Sequence, residues 1–204
     1  MPRVAAPSKL AAYDEALRLS RGASSLAGVD EVGRGPLAGP VVAAAVILPP
    51  DPAGLSGVRD SKTLSPARRD ALYRLIRARA VAVGVGSASP AEITERNILQ
   101  ATFLAMRRAL EDLGARADYL VVDGDKKLPG WEGPQEALVR GDGTSLCVAA
   151  ASVVAKVVRD RWMGRLDFRH PGYGFSKHKG YGTAEHYAAL DRLGPSPVHR
   201  PTFL

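Results

Sequence analysis

Cysteine is almost absent from this chain of 204 residues. A single Cys147 excludes a disulfide framework and any cysteine-rich zinc site, which fits a reducing compartment such as the cytoplasm. Cys147 lies in an apolar, alanine-rich run and reads as inert core rather than as a nucleophile. Long hydrophobic runs are missing too. No stretch reaches the length of a membrane span and the start of the chain has no apolar leader segment, so a soluble, unprocessed protein is expected. Histidine is scarce: none of the four forms a His-Glu-x-x-His motif, and His178 and His186 are too far apart in sequence for a zinc pair on one helical face. Repeats, low-complexity blocks and long linkers are also absent, so residues 1–204 read as one domain, large enough to bury its own core.

Acidic charge is in deficit, at 21 Asp and Glu against 28 Lys and Arg, for a net charge of +7. The excess gathers late in the chain. From Ala150 onward, Lys156, Arg159, Arg161, Arg165, Arg169, Lys177, Lys179, Arg192 and Arg200 face only Asp160, Asp167, Glu185 and Asp191. Such a basic tail favours a polyanionic partner, foremost nucleic acid, although a solvated helix face has the same composition.

What is present is a regular alternation of strand and helix signals. Residues 8–20 read as a helix with Leu10, Tyr13 and Leu17 on one face and Gly22 as its stop. Residues 26–32 and 40–48 read as strands, and Ser65-Pro66 opens a helix to about residue 80. Val81, Val83 and Val85 alternate as a strand; Ser89-Pro90-Ala91-Glu92 is a capping box, and Asn97 caps a helix ending near Gly114. A buried strand at 119–122 delivers Asp123, and a loop rich in Gly, Pro and Lys follows. Leu138-Val139 forms a short strand before Gly141-Asp142. A long helix covers 144–166 and a last one 183–193. Strands first, then strands alternating with helices, predict an α/β layer fold with a mixed sheet.

The acids at the strand ends carry the chemistry: Asp30 with Glu31, then Asp123, then Asp142. Neighbouring carboxylates repel and lose hydration when buried, so they call for a cation between them. Oxygen-only ligands select hard ions such as Mg²⁺ or Mn²⁺, and two such ions about 4 Å apart can drive an in-line phosphoryl displacement. Adjacent strand residues point to opposite faces, so a bend or bulge at the Gly33–Gly35 turn that follows is expected to swing Glu31 round. Each acid also has a plain structural reading: Asp123-Gly124 as a turn, Asp142 as a helix N-cap. Two rivals therefore stay open, a two-metal nuclease or phosphotransferase with another substrate, and a basic nucleic-acid-binding module.

The motifs resemble ribonuclease HII, the type 2 ribonuclease H of bacteria. They run as Gly28-Val29-Asp30-Glu31-Val32-Gly33-Arg34-Gly35-Pro36-Leu37-Ala38-Gly39-Pro40-Val41, Asp60-Ser61-Lys62 (with Thr63 where a second lysine often follows), Asn97-Ile98 with Ala105-Met106, and Val122-Asp123-Gly124. Then come Gly141-Asp142, the stretch from Ala149 to Asp160, Tyr173-Gly174-Phe175, and His178-Lys179-Gly180-Tyr181. The resemblance implies a ribonuclease H-like mixed β-sheet flanked by α-helices, with an N-terminal helix in residues 1–23 and a helical C-terminal extension from about residue 167. It implies an endonuclease that cuts the RNA strand of RNA–DNA hybrids and cuts 5′ to ribonucleotides embedded in duplex DNA, with Mn²⁺ or Mg²⁺, as a monomer. Asp30, Glu31, Asp123 and Asp142 are then the metal-binding catalytic acids, and Gly33, Arg34, Gly35, Lys62 and Tyr181 the substrate-binding residues. A 2′-hydroxyl both donates and accepts hydrogen bonds, which suits exposed backbone at the two glycines, and a tyrosine can stack on a sugar or base. Tyr181 alone reads equally as a surface residue in a turn, and His178 reads as turn-forming rather than as a phosphate contact.

Overall fold

The computed structural model describes residues 8–52, 54–55, 57–58, 61 and 64–204. Its strands are β1 (Leu26–Val32), β2 (Val41–Ile47), β3 (Ala82–Ala88), β4 (Tyr119–Asp123) and β5 (Gln135–Leu138). They form one mixed sheet in the order β3-β2-β1-β4-β5. β1, β2 and β3 make an antiparallel meander, and β4 and β5 add in parallel on the other side of β1. β1 is therefore central, with its carboxyl end beside that of β4.

Helices cover both faces. On one side α1 (Lys9–Arg21), α2 (Pro66–Arg79) and the long α5 (Leu146–Arg169) pack over the sheet; α3 (Pro90–Arg96) and α4 (Ile98–Glu111) pack on the other. That is why every residue of β2 is buried and why it reads as a continuous apolar run rather than an alternating one. α5 crosses β1 at close range: a Cβ on Gly28 would lie 2.2 Å from the backbone of Cys147, so only glycine allows the approach. α6 (Phe175–His178) and α7 (Ala184–Leu193) form the helical C-terminal extension, with a small core of their own around Met163, Tyr173 and Phe175.

The predicted caps are in place. Ser65, Ser89 and Asn97 each accept a hydrogen bond from a first-turn amide, Glu92 closes the capping box, and Gly22 ends α1 in the left-handed region; Ser8, not among the expected caps, does the same for α1. Three boundaries differ from the expectation. Val81 is 62% exposed and precedes β3, because it turns the chain from α2 into the sheet. β5 starts earlier and stops at Leu138, the last residue in register with β4; Val139 is solvent-facing and Arg140 takes a left-handed φ of 57° to leave the sheet. The long helix begins at Leu146 with Ser145 as its N-cap, so Asp142 is not the cap of that helix.

Candidate active site

The parallel ladder between β1 and β4 ends at Val29 and Val122, one residue short of Asp30 and Asp123. Carboxylate oxygens of Asp30, Glu31 and Asp123 all lie within 4.8 Å of one another. No bulge within β1 brings Glu31 there, since the β1–β2 register runs unbroken from Ala27–Ile47 to Val32–Val42; the chain bends only after the strand, at Arg34 and Gly35. Among the described residues no strand flanks β1 beyond Val29 on the β4 side, and this open edge lets the longer Glu31 side chain join the other two. Asp142 is buried in a 3₁₀ turn (Gly141–Gly143) and lies outside that cluster of three. It follows Gly141, whose N–H donates to Asp123 Oδ1 at 2.7 Å, so the turn carrying Asp142 is docked on the cluster.

The cluster is electrostatically strained. Burial pushes the Asp30 carboxyl well above its usual range, and the charges of Glu31 and Asp123 push it further. Glu31 is also raised by burial, with Arg34 opposing and Asp123 adding. A hydrogen bond from Ser152 on α5 favours ionised Asp30, and Ser152 Oγ lies 2.9 Å from Ser61 Oγ. Three hard oxygen donors with no nitrogen or sulfur among them, in mutual repulsion, fit a divalent cation of the Mg²⁺ class.

A group whose pKa is raised on folding contributes stability below its unfolded pKa and loses it as pH rises through the folded value. At neutral pH and without metal, keeping Asp30 in this buried site therefore costs stability. Asp30→Asn is expected to raise the melting temperature of the metal-free protein, by about 2–4 °C for each kcal/mol relieved. The gain should vanish at acidic pH, where Asp30 is protonated anyway. A differential scan at two pH values checks both; a lower melting temperature at neutral pH would contradict the burial argument.

Beside the acids, residues 33–40 form a loop held by two buried arginines. Arg159, fully buried on α5, donates from Nε to Pro40 O at 3.0 Å and from Nη2 to Ala38 O at 3.3 Å. Arg200, also fully buried, donates to the carbonyls of Gly33 (2.7 Å), Arg34 (2.9 Å) and Gly39 (2.8 Å). Gly33 has φ +96° and any Cβ there would lie 2.1 Å from Arg159 Nε, so glycine is required on both counts. Leu37 N–H donates to Gly180 O, and Tyr181, 44% exposed, lies against Gly35. The structure thus brings Gly33, Gly35 and Tyr181 together. The exposed Arg34 guanidinium points back to Glu31 at 3.4 Å, a contact worth little in water. Lys62 lies outside the described residues.

Arg159 and Arg200 correct the reading of the basic tail. They belong to the loop's support and not to a surface for a polyanion. The signal for Arg159 is its spacing: Ser152, Ala155, Arg159 and Met163 recur on one buried face of α5. Ser61 and Ser152 join the site as well, with no local pattern in the sequence to mark them for it. Three histidines are also more than turn residues, since His178, His186 and His199 are all buried.

The family model for Ribonuclease HII matches residues 27–204. The chain is 56% identical over 183 residues to Ribonuclease HII of Geobacter sulfurreducens, covering 90% of this chain and 83% of that one. It is 57% identical over 187 residues to Ribonuclease HII of Syntrophotalea carbinolica, covering 91% and 88%. Among solved structures, RNase HII of Archaeoglobus fulgidus, from its complex with PCNA, superposes with a TM-score of 0.75 at 27% identity, covering 88% of this chain and 95% of that one. Fold, acid cluster and relatives together identify a metal-dependent endoribonuclease of the ribonuclease H type, acting on RNA–DNA hybrids. The chain belongs to the ribonuclease HII family.

Proposed function

We propose that Asp30, Glu31, Asp123 and Asp142 are the catalytic acids, and that the enzyme cuts on the 5′ side of a ribonucleotide, both in hybrids and at ribonucleotides embedded in duplex DNA. The products are a 3′-hydroxyl and a 5′-phosphate. The observation that carries this reading is the convergence of three carboxylates within 4.8 Å beside a rigid glycine loop. Two Mg²⁺ or Mn²⁺ ions held by these acids would activate the attacking water and stabilise the leaving oxygen.

The rest is done by the chain. In a trans peptide the N–H points away from the C=O, so Arg200, by holding the carbonyls of Gly33 and Arg34, aims the amides of Arg34 and Gly35 the opposite way. Those amides are placed to bind a 2′-hydroxyl, the group that separates RNA from DNA at one nucleotide. Tyr181, beside Gly35, stacks on the neighbouring deoxyribose and so marks the junction. A single embedded ribonucleotide offers one such junction, whereas an all-RNA strand offers many cutting sites, so Tyr181 matters most for the former. Arg34 and Lys62 contribute phosphate contacts. The protein works as a single-domain monomer in the cytoplasm, consistent with its one buried cysteine, and removes ribonucleotides left in DNA by replication. No helix among the described residues is long and apolar enough to cross a membrane.

The test is cleavage of an end-labelled duplex with one ribonucleotide, with and without Mg²⁺ or Mn²⁺. One metal-dependent cut 5′ to the ribonucleotide, extendable from its 3′-hydroxyl by a polymerase, is expected. A cut on the 3′ side, or equal cutting of all-DNA duplex, would contradict the reading.

A further inference from the structure

The three buried histidines have protonation states that the backbone dictates. His178 Nδ1 accepts from Gly180 N–H at 3.2 Å, so its proton sits on Nε2, 2.7 Å from Tyr173 O. His199 Nδ1 accepts from Ser196 N–H at 2.9 Å, so its proton sits on Nε2. That nitrogen faces His186 Nε2 at 3.0 Å, which must then be bare. The His186 proton is left on Nδ1, 2.9 Å from the carbonyl of Tyr181. One neutral arrangement satisfies the short bonds: Ser196 N–H and, at 2.8 Å, Ser196 Oγ–H to His199 Nδ1, His199 to His186, His186 to Tyr181 O; only the longer 3.3 Å approach of His199 Nδ1 to Ser196 O carries no proton.

The chain of bonds ends on the residue assigned to the ribose junction. Tyr181 N–H is held as well, by His178 O at 3.0 Å, and the His178 and His186 rings stack at 4.3 Å. The backbone of Tyr181 is therefore held on both sides, at its N–H by His178 O and at its carbonyl by His186 Nδ1 and by Thr183 N–H at 2.9 Å, while its ring stays half open to solvent. Filling this space with apolar rings would avoid desolvating two imidazoles, so two buried imidazoles here call for a use of their polarity. Burial lowers the pKa of both His186 and His199, which keeps the pair neutral as the bonds require.

We infer that the His199–His186 pair is a positioning device for Tyr181, with His199 fixing the tautomer through which His186 holds the Tyr181 carbonyl. The inference rests on the reading of Tyr181 given above. Neither histidine touches substrate; both act through Tyr181.

The experiment compares His199→Phe, His199→Gln, Tyr181→Ala and the double variant Tyr181→Ala/His199→Phe. The quantity read is the ratio of kcat/KM on a single-ribonucleotide duplex to that on an all-RNA hybrid. Loss of folded enzyme cancels in this ratio, so a merely structural role leaves it unmoved. His199→Phe is expected to lower it about tenfold, the factor one ordinary hydrogen bond supplies. His199→Gln, which keeps a donor near the Nε2 position, should restore most of it, and His199→Phe should add nothing once Tyr181 is alanine. If Tyr181→Ala lowers the ratio and His199→Phe does not, the positioning role is overturned and Tyr181 keeps its own. If Tyr181→Ala leaves the ratio unchanged, the junction reading fails and the inference with it. Nitrogen NMR of the unmodified protein offers a check that needs no variant: His186 should carry its proton on Nδ1 and His199 on Nε2 at neutral pH, and the reverse tautomers would overturn the inference.

Discussion

Asp123→Asn lowers cleavage of an RNA–DNA hybrid by at least about a hundredfold, the upper end of what losing even an outer-shell partner of a metal costs, and leaves the fold intact. Asp123 is one of three carboxylates within 4.8 Å, and a neutral amide is a poor ligand for a hard dication. Its structural task survives the change, since the amide oxygen can still accept the Gly141 N–H that holds the turn carrying Asp142. Activity and stability therefore separate. Steady-state cleavage at low Mg²⁺, with a thermal melt of the same sample, measures both; near-normal turnover would remove Asp123 from the site.

Arg200→Lys has the second large effect, and its loss is in stability. The Arg200 guanidinium is fully buried and spans three carbonyls of the 33–39 loop, a fork that the point charge of lysine cannot reproduce. Burial, and the neighbouring Arg159 charge after it, push the Arg200 pKa down to about 9, so it remains a cation at neutral pH. At about 1.5–3 kcal/mol for each hydrogen bond to a charged group, losing two costs about 3 kcal/mol or more. In a protein of this size that lowers the melting temperature by about 6–12 °C. Cleavage falls too, because the loop beside the acids loses its fixed shape. A melting temperature within 2 °C of the parent, on the same scale, would show that Arg200 does not hold the loop.

What could be read from the sequence was whatever is encoded locally. Ser65-Pro66, the Ser89–Glu92 box and Asn97 announce helix starts because a cap and its amide lie three residues apart. β1 and β2 stand out as apolar runs, the first ended by acids and a glycine turn and the second by Pro49-Pro50. The acids were legible because carboxylates at the ends of buried strands need a reason. What failed depended on contacts between distant segments. Glu31 needs no bulge, because the ladder between β1 and β4, which are far apart in sequence, ends at Val29. Arg200 looked like surface charge because its partners lie some 160 residues earlier. The histidines sit in three separate segments, and nothing local shows that 178, 186 and 199 share one core.

Under the proposed function, Asp30, Glu31 and Asp123 bind the divalent cation that cleavage requires. Calorimetric titration of Mn²⁺ into the protein and into Asp123→Asn tests it most directly. Saturable binding by the parent is expected, with an affinity at least about 10–100-fold weaker in the variant. Equal affinity in the two proteins would contradict it.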